Sequence, residues 1–489
     1  MVFNTHNSFI NMKKLGIIVL GLAMLPLSLI AQNETTVNLK NLFGDLRARH
    51  IGPALMSGRI NDMEVHPAND RILYAGTAGG GVWKSNDAGT TFNPIFDDHC
   101  QSIGAVEIDP NDPDNVIYVG TGETWTRNSV SYGDGLYKST DGGSNWKKLG
   151  FDNSERIANI IVNPKNSNEV FVAVLGALWS DSEERGVYKS LDAGETWKKI
   201  LYINETTGAA DMTMDPNDPS VIYASMWEFR RTGWSFSSGG ENSALYKSTN
   251  GGETWNKIHE GFPNGQLGRL AIAVAPSNSN ILYTVIEAED PKRKGLYRSD
   301  DAGEHWKQLN NDFGITVRPF YFSRITVDPR NPDVVIKGGL SGSISKDGGK
   351  TFTSIGKENV HSDHQALWVN PKRKGHLVEG NDGGLNISYD DGEHWVKLNS
   401  PSVGQFYAIY ADNQTPYNVY GGLQDNGVWT ASHNAKMNNR WHQTGKNPYT
   451  SIMGGDGMQV QVDDRNPSIV YTGSQFGNYF RLDRDQGER

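Results

Sequence analysis

The stretch STDGGSNW, residues 139–146, recurs along the chain as SNDAGTTF from Ser85, SLDAGETW from Ser190, STNGGETW from Ser248, SDDAGEHW from Ser299, SKDGGKTF from Ser345 and SYDDGEHW from Ser388. Successive copies start 54, 51, 58, 51, 46 and 43 residues apart. That period fits one small sheet per repeat, so the chain reads as an array of like units rather than a string of unrelated domains.

Working outward from Ser190, the residues around the third copy alternate in polarity as four short strands. Arg156 to Val162 alternates and ends at Asn163-Pro164, Val170 to Val174 is apolar, Gly186 to Ser190 is short, and Thr196 to Leu201 closes the unit. The same frame fits the first unit (EVHP, LYAG, GVWKS, TFNPI) and the second (VEIDP, IYVG, GLYKS, NWKKL). Four antiparallel strands repeated radially form a β-propeller, and the expected fold is all-β. Seven units carry the phrase clearly. FYAIYAD with YNVYGG begins an eighth unit whose phrase has decayed to SHNAKMNNRW, and MQVQVDD with IVYTGS begins a ninth that stops short at Arg489. The phrase itself falls on the hairpin between the third and fourth strands. There Asp87, Asp141, Asp192, Asn250, Asp301, Asp347 and Asp390 are expected to bind the turn backbone, glycine to supply positive φ, and the aromatic ring to pack beneath. These are structural positions, not catalytic ones.

Composition agrees with a turn-rich β protein: 55 Gly, 13 Trp and 19 Tyr. A net charge of −10 gives no basic face for nucleic acid. Lys13 and Lys14 precede an apolar run from Leu15 to Ile30 that ends at Ala31-Gln32, the layout of a cleaved signal peptide. The expected organisation is a signal peptide over 1–31, an N-terminal segment over 32–52 and the propeller over 53–489. Export to the periplasm, the cell surface or the medium follows, with no membrane span left after cleavage. Cys100 stands alone, so no intrachain disulfide forms. The ninth unit lacks a fourth strand; either the chain is cut from a longer one, the expectation adopted here, or the segment from Leu39 to Ile51 supplies the strand.

In such a meander the loops after the second strand share a face with the connections between units, and these are the segments that vary. Trp125, Arg127 and Tyr132 in the second unit, Trp179 in the third, and Trp227, Arg230, Arg231, Trp234 and Phe236 in the fourth are candidates for binding a glycan or polypeptide. Later units place His361, Asp363 and His364 (HSDH), Asn381 and Asp382 (GNDGG), Gln424, Asp425 and Asn426 (LQDNG) and Asp456 (GGDG) on the same face. Converging carboxylates there serve either as an acid and base pair on a glycosidic bond or as ligands of a hard cation such as calcium. HSDH offers two histidines but no third placed ligand for zinc.

The repeated phrase resembles the Asp-box, or bacterial neuraminidase repeat, of sialidases, xyloglucanase-like glycoside hydrolases and sortilin-type receptors. IGPALMSGRI from Ile51, HSDHQALWVNP from His361, EGNDGGLNISYDDGEHW from Glu379, GLQDNG from Gly422 and GGDGMQVQVDD from Gly454 together resemble exported bacterial Asp-box propellers described as sortilin-like or glycosyl-hydrolase-like. The resemblance implies a propeller whose Asp-boxes sit on the outer edge. It departs from the xyloglucanase-like pattern at both acid positions, where Ala78 (LYAGTAGGG) and Asn381 (GNDGG) stand. The Phe-Arg-Ile-Pro phrase of sialidases is missing, although Arg59 in SGRI stands at a suggestive place. The expected function is a secreted ligand-binding propeller for polypeptide or glycan. The alternative is a glycoside hydrolase using Asp363, Asp382, Asp425 or Asp456.

Overall fold

A computed structural model describes residues 51, 57–127, 130–356, 360–398, 401–436 and 448–487. The expected signal peptide and N-terminal segment lie outside the described residues, Ile51 excepted, as does part of the decayed phrase of the eighth unit.

Nine antiparallel sheets follow one another along the described chain. The first eight each contain a run of four consecutive hydrogen-bonded strands, and the ninth has three; the fourth carries an extra strand, Phe236–Ser238, paired to the end of Ile222–Arg231. Two 3-10 turns, Phe313–Ile315 and Gln475–Gly477, are the helical segments among the described residues. In the first and second units the second strand is the most deeply buried. Leu73–Thr77 and Ile117–Thr121 are buried at every residue because a neighbouring sheet covers each face. The third strand ends in the Asp-box serine, itself buried at Ser85, Ser139 and Ser190.

Packing between sheets is hydrophobic and sequential. Tyr74 and Val82 of the first sheet pack on Ile103 and Val119 of the second. Ala105 and Tyr118 of the second pack on Ile160 and Val172 of the third. The fifth packs on the sixth through Tyr283, Leu296, Ile325 and Val335, and the sixth on the seventh through Ile336, Ile344, Val369 and Leu377. The first sheet also packs on the seventh, with Ile60, Met63, Val65 and Ala75 against Ala366, Val378, Leu385 and Ile387. The eighth and ninth share a separate cluster of Tyr420, Val428, Val460 and Val470.

The Asp-box phrase folds by local polar chemistry. Ser139 Oγ donates to Asp141 Oδ1 at 2.8 Å and accepts the Gly143 N–H at 2.9 Å. Asp141 Oδ1 accepts the Asn145 N–H at 2.8 Å. Gly143 holds φ at +95°, where a side chain would also strike Ile95 of the preceding sheet. Trp146 Nε1 donates to the Ile95 carbonyl at 2.7 Å, so the hairpin also ties one sheet to the one before. The corresponding Ser–Asp or Ser–Asn bond recurs at Asp87, Asp192, Asn250, Asp301, Asp347 and Asp390.

Candidate functional site

The first two strands of a unit run antiparallel, so the residue entering the first strand and the residues leaving the second emerge side by side on one face. Ile60 pairs with Thr77, Ile103 with Thr121, His364 with Asn381 and Phe406 with Leu423. Arg59, Asp363 and Gln405 therefore stand at strand starts, and Glu123, Asp382, Gln424 and Asp425 stand one or two residues beyond strand ends. These positions line or border a cavity of about 420 Å³ whose wall includes Arg59, Arg127, Arg231, Arg318, Tyr321 and Tyr407 together with Asp363, Asp382, Asp425 and Asp456.

Arg59 is the hub. Its buried guanidinium forks onto Asp382, with Nε 2.8 Å from Oδ1 and Nη2 against Oδ2. Nη1 donates to Glu123 Oε1 at 2.9 Å, and Nη2 reaches Asp425 Oδ2 at 3.1 Å. Tyr321 donates its hydroxyl to Asp382 Oδ2 at 2.9 Å. Arg127 donates to Glu123 Oε1 at 3.1 Å and to Gln424 Oε1 at 2.6 Å. Asp456 Oδ1 accepts the Asp425 N–H at 2.8 Å, which fixes the turn carrying Asp425. Asp363 and Asp425 hold φ at +68° and +61°, in the left-handed region that aspartate tolerates better than most residues. A Cβ on Gly383 would stand 2.7 Å from His361, so only glycine fits next to Asp382.

Oxygens of Asp363, Asp382 and Asp425 lie within 4.8 Å of one another. Three carboxylates that close cannot share one protonation state. Burial acts to raise Asp382, but the Arg59 charge and its hydrogen bonds outweigh it and hold the carboxyl below its ordinary value. Burial, then the Asp382 anion, push Asp363 up to about 6. The same two causes push Asp425 up to about 7. Oδ1 of Asp363 is buried without a hydrogen-bond partner. These three carboxylates are also the group spaced to hold a cation among the described residues. The Arg59 guanidinium already lies against two of them and supplies the positive charge a cation would bring.

The remaining sequence candidates fall elsewhere. Trp227 lies inside the strand Ile222–Arg231, wholly buried and stacked on Phe229 at 4.5 Å, so it offers no ring face to a ligand. Trp125 is buried beneath the Arg269 guanidinium, 4.3 Å away, and donates Nε1 to the Asn61 carbonyl. His364 is buried against the Glu379 carboxylate, and Asn381 is buried between Glu379 and Asn386. Asn426 donates to the Asp382 carbonyl at 2.9 Å, and His361 places Nε2 2.9 Å from the Asp425 carbonyl oxygen. Both brace the acid turns. Tyr132, Trp179 and Trp234 are exposed, and Arg230 is paired with Asp181 at 2.8 Å. Ala78 is buried. Sequence reasoning missed Glu123, Arg318, Tyr321, Gln405 and Tyr407. Strand ends could have flagged Glu123 and Gln405; nothing local marks Tyr321.

Residues 134–295 match the sortilin family described as "Sortilin, neurotensin receptor 3". An oligoxyloglucan-reducing end-specific xyloglucanase of Emericella nidulans is 22% identical over 437 residues, covering 77% of this chain and 50% of that protein. A xyloglucanase of Hypocrea jecorina is 24% identical over 437 residues, covering 76% and 48%. The GH74 xyloglucanase structure from Xanthomonas campestris superposes with a TM-score of 0.64 at 16% identity, over 90% of this chain and 68% of that one. The Niastella koreensis GH74 enzyme gives 0.57 at 18%, over 88% and 65%. In fold, the chain is a sortilin-like and xyloglucanase-like β-propeller. It spans about half the length of the curated relatives it matches. Among the described residues no helix is long and apolar enough to cross a membrane.

Proposed function

We propose that this chain is a glycoside hydrolase acting on a polysaccharide, with Asp425 as the acid and Asp363 as the nucleophile. The observation that carries the reading is the cluster of three carboxylates within 4.8 Å, one held ionised and two raised toward neutrality. Glycosidases need one carboxyl that keeps its proton and one that has lost it, and an environment that splits their pKa values provides both. Asp425, the higher of the two, protonates the leaving oxygen. Asp363, the lower of the two, ionises first and attacks the anomeric carbon. Carboxyl oxygens within 4.8 Å of one another are closer than the roughly 6.5–9.5 Å that leaves room for a water, which favours a nucleophile over a water-activating base. The C–O bond breaks as a glycosyl ester forms on Asp363. Water then cleaves that ester, giving up its proton to Asp425, and both carboxyls return to their starting states. Asp382 reacts with nothing; with Arg59 it sets the field in which its neighbours titrate. Several of the matched relatives are named as xyloglucanases, which favours a polysaccharide substrate over a polypeptide ligand.

On the same footing we read the first seven sheets as one closed ring of blades, with the eighth and ninth as blades beyond it and the Asp-boxes as outer clamps. A place outside the cytoplasm, inferred from the Lys13 to Gln32 pattern, suits a substrate too large to import.

The test is release of reducing ends from xyloglucan and other β-glucans, with the anomer of the first product followed by proton NMR. Retention of configuration is expected, with D425N and D363N each losing about a hundredfold or more of the rate. Absence of cleavage of every polysaccharide by well-folded protein would overturn the hydrolase reading and return the site to ligand binding. An inverted product would overturn the role given to Asp363.

A further inference from the structure

The cavity is lined by four arginines in a chain whose net charge is −10. Two are consumed by the site. Arg59 is shared among Asp382, Glu123 and Asp425, and Arg127 among Glu123, Gln424 and Gln405. Arg318 is different. It is exposed at the cavity wall, and among the described residues its guanidinium makes no hydrogen bond or ion pair, although its charge reaches the Asp363 carboxyl. Its backbone is nonetheless fixed. The Arg318 carbonyl accepts the N–H groups of Tyr321 and Phe322, both at 2.8 Å, and φ is +46° in a residue with no local reason to prefer the left-handed region. The turn that holds Arg318 out therefore also sets Tyr321 against Asp382.

Arg231 stands on the same wall. The fourth sheet alone, among the described sheets, adds a fifth strand, Phe236–Ser238, and the resulting hairpin brings Arg231 to the cavity. Its guanidinium lies 5.0 Å over the Phe236 ring, and Phe236 packs edge-on against Phe320 at 5.0 Å. Phe320 is two residues from Arg318 and lines the cavity itself. Hairpin and turn are thus packed into one wall, which Arg318 and Arg231 both line.

A neutral sugar is held by hydroxyl hydrogen bonds and ring stacking, and a guanidinium without a partner adds little to either. A carboxylate meets the planar fork of arginine with two parallel charge-assisted bonds. We propose that the polysaccharide taken by this site is acidic, and that a uronate carboxylate next to the scissile bond pairs with Arg318, with Arg231 as the neighbouring positive charge. The proposal deepens the hydrolase reading and rests on it for the position of the scissile bond. Asp363 and Asp425 would repel an anionic chain if fully charged, and both are raised toward neutrality, which lowers that barrier in mildly acid solution.

The experiment measures binding of the full chain, by titration calorimetry, to a galacturonate tetramer, the same tetramer with its carboxyls reduced to alcohols, a sulfated galactose tetramer and cellotetraose. The uronate is expected to bind at least about tenfold more tightly than its carboxyl-reduced counterpart, with the advantage shrinking as salt rises from about 50 to about 500 mM. R318Q should remove most of that preference, and R318K should restore only part of it because lysine lacks the fork. Equal affinity for the uronate and its reduced form overturns the proposal without involving any protein variant. Tighter binding of the sulfated tetramer, or full preference in R318Q, overturns it as well. Cleavage of neutral glucans without uronate preference would leave the hydrolase reading standing and remove this one. Uronate preference without bond cleavage would do the reverse for the chemistry while keeping the carboxylate site.

Discussion

Replacing Arg59 by Gln tests whether the buried network is electrostatic or merely compact. The side chains of Arg59, Glu123 and Asp382 are each exposed by no more than 1%, and Arg59 makes a forked contact to Asp382 with further bonds to Glu123 and Asp425. Gln keeps much of the stem volume but leaves the buried Asp382 carboxylate without its cation and Glu123 with Arg127 alone. Breaking a buried pair from one side costs about 3–5 kcal/mol, and that is the expected loss for R59Q at pH 7.5. The sign of the pH dependence follows from the titrating groups. In the native protein the depressed Asp382 contributes stability above its unfolded value near ~3.9, lost only as pH falls through its lower folded value. In R59Q Asp382, buried without its cation, becomes a raised group, whose stability is present at low pH and lost as pH rises, while Glu123 keeps Arg127. The gap between the two proteins should therefore narrow from pH 7.5 to pH 5. Urea unfolding followed by tryptophan fluorescence reads both numbers. A loss below about 1 kcal/mol at pH 7.5, or a gap that widens toward acid, refutes the network as described. R59K should fall between, since an ammonium restores the charge but not the fork.

The rate should follow a narrow bell in kcat/KM. It rises as Asp363 ionises near its value of about 6 and falls as Asp425 loses its proton near its value of about 7, so a flat profile from pH 5 to 8 would remove the assigned roles. W227A should cost about 3–5 kcal/mol or abolish soluble expression, because the ring is wholly buried; W234A, at a ring 90% exposed on a hairpin tip, should leave the thermal midpoint unchanged. S139A removes both the bond to Asp141 and the acceptor for the Gly143 N–H, and should cost about 1–2 kcal/mol in urea unfolding without touching the cavity.

Strand patterning and the Asp-box spacing carried the sheets because both are local: first strands such as Ile60–Val65 alternate in burial, second strands are short apolar runs, and a Ser-x-Asp turn closes within four residues. The four acids on the irregular face, Asp363, Asp382, Asp425 and Asp456, were legible as departures from a repeat. Trp227 was not, because the strand Ile222–Arg231 runs on past the usual length for its unit and carries the ring into the core rather than into a loop. Trp125 follows a strand end as expected, but Arg269 and Arg324 close over it. Glu123 and Tyr321 acquire their roles from partners 64 and 61 residues away, and no pattern in a window of sequence reaches that far. The resemblance pointed to Ala78 and Asn381 as acid positions, and neither residue is an acid. The carboxylates that do converge come one residue later in the seventh unit, and from the eighth unit, which stands outside the core shared by the first and seventh.

Where the site sits explains why it is built this way. The first and seventh sheets are far apart in sequence, and their contact is sewn at both ends of the strands. On one face Asn370 Nδ2 donates to Asp70 and Lys372 Nζ to the Pro67 carbonyl, at 2.9 and 2.8 Å. On the other, Arg59 clasps Asp382. The same guanidinium reaches Glu123 of the second sheet and Asp425 of the eighth, so one side chain joins four units. An arrangement needed only for stability would be served as well by apolar residues, which fill such a seam without a desolvation cost. Here the charge does something packing cannot: it keeps Asp382 ionised, and that anion adds to burial, the larger cause, in raising Asp363 and Asp425. The bond that fastens the first unit to the seventh therefore also holds ionised the carboxylate that helps raise its two neighbours, and the higher of these comes from the eighth unit.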